Sequence, residues 1–417
     1  MSREPANHPC FNENVKHRYG RIHLPVAPQC NVRCNFCNRK YDCVNESRPG
    51  VTSSVLSPGQ ALYYLKKMYE RDSRLSVVGI AGPGDAFANP DETLETLRRV
   101  RAEFPEMLLC VATNGLSAPE YIAELAEIGG THLTVTVNAV DPEIGAQIYG
   151  WVRDGKKILR DTIGAEVLLE RQIETIQLCK AHGLIVKINS ILIPGVNDDH
   201  IPEIARTVSE LGADLFNCIA MCSVPGTPFE DISEPDCEQV ESVRAQARQY
   251  MPQMSHCTRC RADAVGCLGD KVPGAAIRLL REVAAGPMNP CEERPYVAVA
   301  SMEGLLVNQH LGQAKHLWIF KPADDGFELV ETRQTPPGGG EMRWRQLAGI
   351  LRDCRAVLTA AAGDKPVQAL KQAGIRVGIV EGLIERSLEI IYGGGDLDIY
   401  AVRGRCGGCA GGAKGCM

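Results

Sequence analysis

Short apolar runs alternate with amphipathic segments from residue 21 to residue 221. Each run has the length of a buried strand, and each has a segment of helical periodicity beside it. Helix boundary signals agree with this division, since Ser57 is suited to an N-cap and Pro58 to the first helical position. The six apolar runs are RIHLPVA (21–27), LSVVGIAG (75–82), LLCVAT (108–113), HLTVTVNAV (132–140), LIVKINSILI (184–193) and DLFNCIAM (214–221). Six strand–helix units in succession predict a parallel α/β sheet or a partial (β/α)6 barrel of the TIM type.

A second and shorter α/β series begins after a proline-rich segment. Pro287, Pro290 and Pro295 mark a linker, and the pattern beyond it predicts a smaller α/β domain of about 120 residues. Its predicted elements are strands at 296–301, 316–322, 356–361 and 376–380, a hairpin at 304–312, and helices near 342–354, 365–373 and 383–392. The predicted domains are an arm with a candidate cluster ligand (1–20), a core that includes the cysteine motif at 257–267 (21–285), a linker (286–295), the second domain (296–402) and a cysteine- and glycine-rich tail (403–417).

Polar and glycine residues recur where the predicted strands end. They are the cysteine loop 30–37, the turn Gly82-Pro83-Gly84-Asp85, the segment Thr113-Asn114-Gly115, Asn138, Lys187 and Asn189. Loops contain such residues simply because they turn, but the carboxyl ends of barrel strands also build active sites. Their recurrence together with a cysteine loop favours a catalytic site over ordinary turns.

Composition narrows the classes of function. The 417 residues carry 45 Lys and Arg against 51 Asp and Glu, for a formal charge of −6, and no basic tract is present. A nucleic-acid partner is therefore not expected. No run of 18 apolar residues occurs, and the polar start MSREPANHPCFNENVKHRYG does not fit a signal peptide. We expect a cytoplasmic protein without a membrane partner.

The 18 cysteines are the unusual feature of the composition. In a chain with no export signal they favour metal ligation or redox chemistry over a disulfide framework. Cys30, Cys34 and Cys37 have the spacing C-x3-C-x2-C. Three such close thiolates can hold one face of a cuboidal iron–sulfur cluster and leave its fourth iron open to a substrate. A structural zinc site is the alternative, but it needs a fourth ligand nearby.

This triad, its place after the first strand and the six strand–helix units resemble the radical S-adenosylmethionine (SAM) superfamily. The resemblance implies that Cys30, Cys34 and Cys37 hold a catalytic 4Fe–4S cluster. Its open iron would bind SAM, and its electron would cleave SAM to a 5′-deoxyadenosyl radical. The turn Gly82-Pro83-Gly84-Asp85 stands where the superfamily carries a glycine-rich turn ending in Glu, so Asp is a departure. The residues that the resemblance implicates in SAM binding are Gly82, Gly84, Asp85, Thr113, Asn138, Lys187, Asn189 and Ile193.

Further motifs resemble a narrower family, the nitrogenase cofactor biosynthesis proteins of this superfamily. These motifs are HPCFNE (8–13), YDCVNESRPGV (41–51), LLCVATNG (108–115) and CTRCRADAVGCLG (257–269). The second domain begins with YVAVASMEGLLVNQHLGQAKHLWIF (296–320). This segment resembles nitrogenase cofactor carrier proteins of the NifX type, which implies a ribonuclease H-like α/β fold.

The narrower resemblance implies an enzyme that fuses two 4Fe–4S clusters into an eight-iron, nine-sulfur precursor. A central carbide would come from a SAM methyl group, and one sulfur would be added. The resemblance also implies two 4Fe–4S clusters besides the SAM-binding one. The implied partners are iron–sulfur cluster donors, carrier or scaffold proteins of nitrogenase assembly, and an electron donor such as a ferredoxin or flavodoxin.

Candidate ligands for the two further clusters lie in separate parts of the sequence. Cys257, Cys260 and Cys267 (C-x2-C-x6-C) are suited to one cluster. The other cluster needs ligands that converge in the fold, and the candidates are Cys10, His23, Cys43, Glu46 and Cys110. A hydrogen-bonded core histidine is the alternative for His23, and a salt bridge to Arg39 or Arg48 is the alternative for Glu46. His8 and His17 are interpreted as exposed residues of the arm.

Two other functions agree with part of the pattern. A radical SAM maturase of a peptide or small molecule would use auxiliary clusters as an electron relay, but SPASM-type maturases carry a longer C-terminal cysteine array. A non-enzymatic iron–sulfur carrier would leave the strand-end residues and the open-iron triad without a role. In the tail, Cys406, Cys409 and Cys416 agree equally well with transient metal binding and with an idle segment.

Overall fold

The computed structural model describes residues 7–51, 53–285, 294–323 and 326–393. The chain divides into two compact units, residues 1–281 and 282–417, and each is described by itself. Most of the predicted linker and the whole predicted tail, with Cys406, Cys409 and Cys416, lie outside the described residues.

The first unit alternates strands with helices. Its strands are β1 (Gly20–His23), β2 (Val32–Cys34), β3 (Leu75–Ile80), β4 (Leu108–Thr113), β5 (His132–Thr136), β6 (Tyr149–Asp154), β7 (Lys157–Leu159), β8 (Ile185–Leu192), β9 (Leu215–Ala220) and β10 (Val265–Gly266). Its helices are α1 (Pro58–Tyr69), α2 (Pro90–Glu103), α3 (Ile122–Ile128), α4 (Pro142–Ile148), α5 (Asp161–Ala181), α6 (Ile201–Glu210), α7 (Cys237–Ala247) and α8 (Gly274–Ala284). Helix α1 begins as expected, with Ser57 and Gln60 capping each other reciprocally.

Seven of these strands form one sheet in the order β10-β1-β3-β4-β5-β8-β9. The strands from β1 to β9 in that order run parallel, and β10 is antiparallel to β1. The six parallel strands are the six apolar runs of the sequence, so the predicted partial barrel is confirmed. Nearly all residues of β3, β5 and β8 are buried, as in parallel sheets generally. Buried polar groups there need a partner or a function, and Lys187 and Asn189 of β8 are two such groups.

A small antiparallel sheet fixes the cysteine loop. Strand β2 pairs with β6, and β6 pairs with β7. In this register Cys34 lies opposite Tyr149, so the middle of the triad is tied to the segment after α4. These strands are not readable from the sequence, because β2 has only 3 residues and most residues of β6 and β7 are exposed or half-buried.

The second unit contains a five-stranded sheet in the order β14-β13-β11-β15-β16. Its elements are β11 (Tyr296–Val299), β12 (Leu306–Val307), β13 (His316–Ala323), β14 (Gly326–Gln334), α9 (Gly340–Ile350), β15 (Cys354–Thr359), α10 (Asp364–Gln372), β16 (Arg376–Ile379), β17 (Gly382–Leu383) and α11 (Ile384–Tyr392). The predicted hairpin at 304–312 is wrong, because β12 pairs with β17 instead. Within the described residues, no helix is long and apolar enough to cross a membrane.

Candidate active site

The cysteine triad borders a cavity in the first unit. Cys30, Cys34 and Cys37 are free thiols that line this cavity together. Cys34 and Cys37 are buried in an apolar cluster with Phe36, and Cys30 packs at its edge. Burial raises the pKa of Cys30 to about 11 and raises the pKa of Cys34 well above its ordinary value. Because iron binds thiolates, metal binding here must release the thiol protons.

The turn after β3 packs directly against the start of the cysteine loop. The Gly84 N–H donates to the Ala27 carbonyl at 2.6 Å, and the Asp85 N–H donates to the Gln29 carbonyl at 2.8 Å. A Cβ at Gly84 would overlap the Gln29 carbonyl oxygen. Gly82 has a φ of +126°, which favours glycine. Both predicted glycines are therefore required by the backbone.

Asp85 is a buried clamp beside the triad. Its carboxylate accepts hydrogen bonds from Thr113 Oγ1 at 3.1 Å and from the backbone N–H groups of Asn114 at 2.6 Å and Phe87 at 3.0 Å. Burial raises the pKa of Asp85 although these donors oppose the shift. The bonds hold the end of β4 against the turn after β3. Asp85 and Thr113 both line the triad cavity, so they shape its wall.

A buried amide and an apolar surface lie near the triad. Asn138 Oδ1 accepts from the Ile191 N–H at 2.8 Å, and Asn138 Nδ2 is buried with no acceptor in the described part of the chain. Ile193 belongs to the apolar cluster that contains Cys34 and Cys37. An unpaired donor and an apolar wall are what the ribose and adenine of SAM would need. These groups suit SAM in kind, and their contact with SAM stays a prediction.

A second, larger cavity is lined by most of the other predicted ligands. They are Cys10, His23, Glu46, Cys110, Cys257 and Cys260. Among the described residues, no three His, Cys, Asp or Glu side chains converge to hold a single metal ion. The ligands surround a space instead of a point, which fits an iron–sulfur cluster better than one ion.

His23 is oriented as an iron ligand needs to be. Its Nδ1 lies 3.0 Å from the Arg261 carbonyl. Because a carbonyl only accepts, Nδ1 carries the proton and Nε2 keeps its lone pair. Gly79 leaves room for the ring, since a Cβ there would lie 2.8 Å from His23 Cδ2. Burial lowers the pKa of His23 to about 4, so the ring is neutral at neutral pH.

Hydrogen bonds orient the sulfur atoms of the larger cavity. Arg21 on β1 is buried and donates to Cys260 Sγ at 2.9 Å and to the Cys267 carbonyl at 2.8 Å. Asn217 Nδ2 donates to Cys257 Sγ at 3.6 Å. Burial raises the pKa of Cys10 to about 12. Donors to sulfur favour the thiolate and hold it in place for a cluster.

Asn45, Glu46 and Ala112 border both cavities. Glu46 Oε1 accepts from Asn189 Nδ2 at 2.9 Å, and burial raises the pKa of Glu46 to about 7. The alternative expected for Glu46 is not observed, since Arg39 and Arg48 donate to backbone carbonyls. The triad cavity and the larger cavity are therefore neighbours.

Several predicted site residues lie apart from the groups expected for them, and Asn138 and Ile193 line neither cavity. Lys187 and Asn189 line the larger cavity and not the triad cavity. Cys43 borders the triad cavity instead of joining Cys10 and Cys110. Cys267 is buried outside both cavities, with its Sγ 3.5 Å from the His17 carbonyl oxygen. Cys267 directly follows β10, which pairs with β1.

The larger cavity also contains residues that were not predicted from the sequence. His8, interpreted as exposed, is 2% exposed and lines this cavity, so that interpretation is wrong. Its ring packs against Phe11 and His132, with centroids 4.8 and 4.5 Å away. Arg21 and Arg259 line the cavity as well. Phe11, an apolar residue in a polar arm that packs against His132, was a signal that this part of the arm contacts the core.

Two family models match the chain in separate regions. The radical SAM superfamily matches residues 24–208, which include the triad, and the dinitrogenase iron–molybdenum cofactor family matches residues 293–391. The partial barrel, the triad cavity and the first match define a radical SAM enzyme, a class that uses a 4Fe–4S cluster and SAM.

Relatives that match nearly the whole chain identify the family within this class of enzymes. The chain is 52% identical to the FeMo cofactor biosynthesis protein NifB of Chlorobaculum tepidum, over 98% of this chain and 99% of that protein. It is 39% identical to NifB of Klebsiella pneumoniae, over 89% of this chain and 86% of that protein. The chain therefore belongs to the NifB family of FeMo cofactor biosynthesis proteins. This confirms the resemblance found in the sequence and favours it over a peptide maturase.

Proposed function

We propose that this chain fuses two 4Fe–4S clusters into the eight-iron, nine-sulfur precursor of the nitrogenase cofactor, with a central carbide from a SAM methyl group and one added sulfur. The observation that carries the proposal is the pair of adjoining cavities, which share Asn45, Glu46 and Ala112. Groups derived from SAM in the triad cavity must reach an iron–sulfur substrate without reacting with water. Neighbouring cavities inside one barrel provide that path.

The triad cavity is assigned to SAM and its resident cluster, held by Cys30, Cys34 and Cys37. When bound, this cluster supplies one electron for the reductive cleavage of SAM to methionine and a 5′-deoxyadenosyl radical. Gly82, Gly84, Asp85 and Thr113 shape the wall beside the triad. Asn138 and Ile193 are assigned to the nucleoside part of SAM.

The larger cavity is assigned to the two substrate clusters. Cys10, His23 and Cys110 are proposed to bind one cluster, and Cys257 and Cys260 the other. Glu46 is placed between the cavities and is proposed as a further ligand, as is Cys43 from the side of the triad. Cys267 stays a predicted ligand, and it would have to leave its contact with the His17 carbonyl to join Cys257 and Cys260.

The second domain is assigned to holding the product or passing it on, because residues 293–391 match the iron–molybdenum cofactor family. This assignment implies carrier or scaffold proteins of nitrogenase assembly as partners. Cluster donors and a ferredoxin or flavodoxin would supply substrate and electrons in the cytoplasm.

Product analysis tests the proposal. The chain is reconstituted anaerobically with iron, sulfide, SAM and dithionite, and S-adenosylhomocysteine, 5′-deoxyadenosine and precursor are quantified. We expect both SAM products, because one SAM donates its methyl group and another is cleaved. The Cys257→Ala/Cys260→Ala variant should still form 5′-deoxyadenosine but no precursor. The triad variant with Cys30, Cys34 and Cys37 changed to Ala is the control, and it should lose SAM cleavage and about four irons.

Two outcomes would contradict this assignment. Loss of 5′-deoxyadenosine formation in the Cys257→Ala/Cys260→Ala variant would mean that the accessory cysteines serve electron relay. Formation of 5′-deoxyadenosine without S-adenosylhomocysteine by the unaltered chain would favour a maturase.

A further inference from the structure

Three cationic side chains line the larger cavity, and two of them donate hydrogen bonds to other groups of the protein. Arg21 donates to Cys260 Sγ and to the Cys267 carbonyl. Arg259 donates to Cys222 Sγ at 2.6 Å and to the Val44 carbonyl at 3.3 Å. Lys187 is the third, and it is only 8% exposed. In the part of the chain that the structure describes, its Nζ has no hydrogen-bond acceptor and no carboxylate within 4.0 Å.

Three thiols and one carboxyl group surround Lys187, and none of them is its direct partner. Its Nζ lies 5.6 Å from the centroid of the Phe11 ring. Burial opposes the charged form, but Cys10, Glu46, Cys257 and Cys110 raise the pKa of Lys187 above its ordinary value. Glu46 already accepts from Asn189 and Thr136. Because Lys187 lines the cavity and no protein acceptor is close to its ammonium, an anionic occupant of the cavity would pair with it.

His8 provides a second unpaired donor in the same cavity. Its Nδ1 accepts from the Cys10 N–H at 3.1 Å, which places the proton of the neutral ring on Nε2. Nε2 is buried and has no acceptor among the described residues. This is the opposite of His23, whose Nε2 presents a lone pair suited to iron.

We propose that Lys187 and His8 recognise the iron–sulfur substrate by its negative charge and its sulfide acceptors, while His23 and the cavity thiols bind its iron. The inference rests on the proposed function, because it takes the occupant to be a cluster. With two thiolate ligands, a 4Fe–4S cluster reduced by one electron carries net negative charge, and its sulfides accept hydrogen bonds that tune its potential. Such a cluster supplies the negative charge that would pair with Lys187 and the hydrogen-bond acceptor that would pair with His8 Nε2. A single divalent cation would be repelled by Lys187.

The test removes the charge while the shape of the side chain is kept. Lys187→Met lacks the ammonium, and Lys187→Arg retains a cation. Lys157→Met, on the exposed strand β7, is the matched control. The full chain is reconstituted anaerobically without SAM. Iron per chain, the reduction potentials of the cluster signals in electron paramagnetic resonance, and the rate of iron loss to a chelator are then measured.

The unaltered chain should hold about twelve irons, four for each cluster. In Lys187→Met we expect the triad cluster to be unchanged and the accessory signals to move to more negative potential, because a nearby positive charge is gone. Accessory iron should be lost to the chelator about tenfold faster, equivalent to about 1.4 kcal/mol weaker retention. Lys187→Arg and Lys157→Met should behave like the unaltered chain.

His8 tests the same recognition through an independent residue. His8→Phe keeps the ring packing against Phe11 and removes the donor, so it should also speed the loss of accessory iron. His8→Gln keeps a donor and should restore retention. If Lys187→Met fails to fold, as shown by loss of the triad cluster, the His8 variants decide the question.

The outcomes separate this inference from the proposed function. Unaltered potentials and iron loss in Lys187→Met and His8→Phe, with about twelve irons in the unaltered chain, would overturn the recognition role alone. A chain that holds only about four irons would overturn the assignment of substrate clusters itself.

Discussion

Gly84 shows how a single missing side chain shapes the triad cavity. A Cβ at this position would overlap the Gln29 carbonyl oxygen, which belongs to the backbone and cannot rotate away. Gly84→Ala should therefore push the turn after β3 away from the cysteine loop and lower the free energy of unfolding by roughly 1–3 kcal/mol. SAM affinity should fall as well. Urea unfolding and equilibrium dialysis of SAM check the two effects.

Gly274→Ala is the matched control in the same unit. A Cβ there would approach only the flexible end of Arg278, at 3.6 Å from Nη1. Its stability should stay within about 0.5 kcal/mol of the unaltered chain. Equal stability and SAM affinity in both variants would contradict the role given to Gly84.

Spacing along the sequence was enough to find the triad, because its three cysteines lie within one loop. Spacing does not predict which cavity Lys187 and Asn189 face, because this depends on how far along the strand each residue lies relative to the neighbouring strands. On β8 that position is set by the pairing with β5 and β9. The position of His8 was missed for a related reason, because its burial depends on contact with His132, which is distant in the sequence.

At the scale of elements, helix α6 is joined to the end of the β5 segment through a titratable group. His200, just before α6, accepts a hydrogen bond on Nε2 from the Val140 N–H at 3.0 Å. Burial lowers the pKa of His200, although Asp141 and Glu203 oppose the shift. The folded chain thus binds fewer protons than the unfolded chain as the pH falls below about 6.5. Neutral His200 therefore contributes fully to the free energy of unfolding above that pH, and this contribution is lost on acidification.

His200→Gln should reduce this pH dependence, because the amide oxygen can accept the same bond without titrating. The metal-free chain and the variant are unfolded with urea at about pH 7.5 and about pH 5.5, the range around the ordinary histidine pKa. We expect the unaltered chain to lose more stability between the two conditions. The same loss in both would show that His200 does not contribute.

Some strands are predictable from the sequence pattern and others are not. The six parallel strands are short, largely buried runs rich in apolar residues and were therefore readable from the sequence. Strand β14 was missed because it lies at the edge of its sheet and most of its residues are exposed or half-buried. Strand β12 was mistaken for part of a hairpin because its partner, β17, is remote in sequence.

At the scale of the whole molecule, chemistry and handling of the product are expected to lie in different units. Residues 1–281 contain both cavities, whereas the second unit matches the iron–molybdenum cofactor family. A chain ending at Ala285, just after α8, should therefore fold, cleave SAM and form precursor. Transfer to a downstream acceptor should be at least about tenfold slower, because a tethered carrier domain raises the local concentration of its cargo. Precursor yield and the rate of its transfer to the acceptor measure the two steps separately. If the shortened chain folds and binds SAM but forms no precursor, the second unit takes part in the chemistry and this division fails.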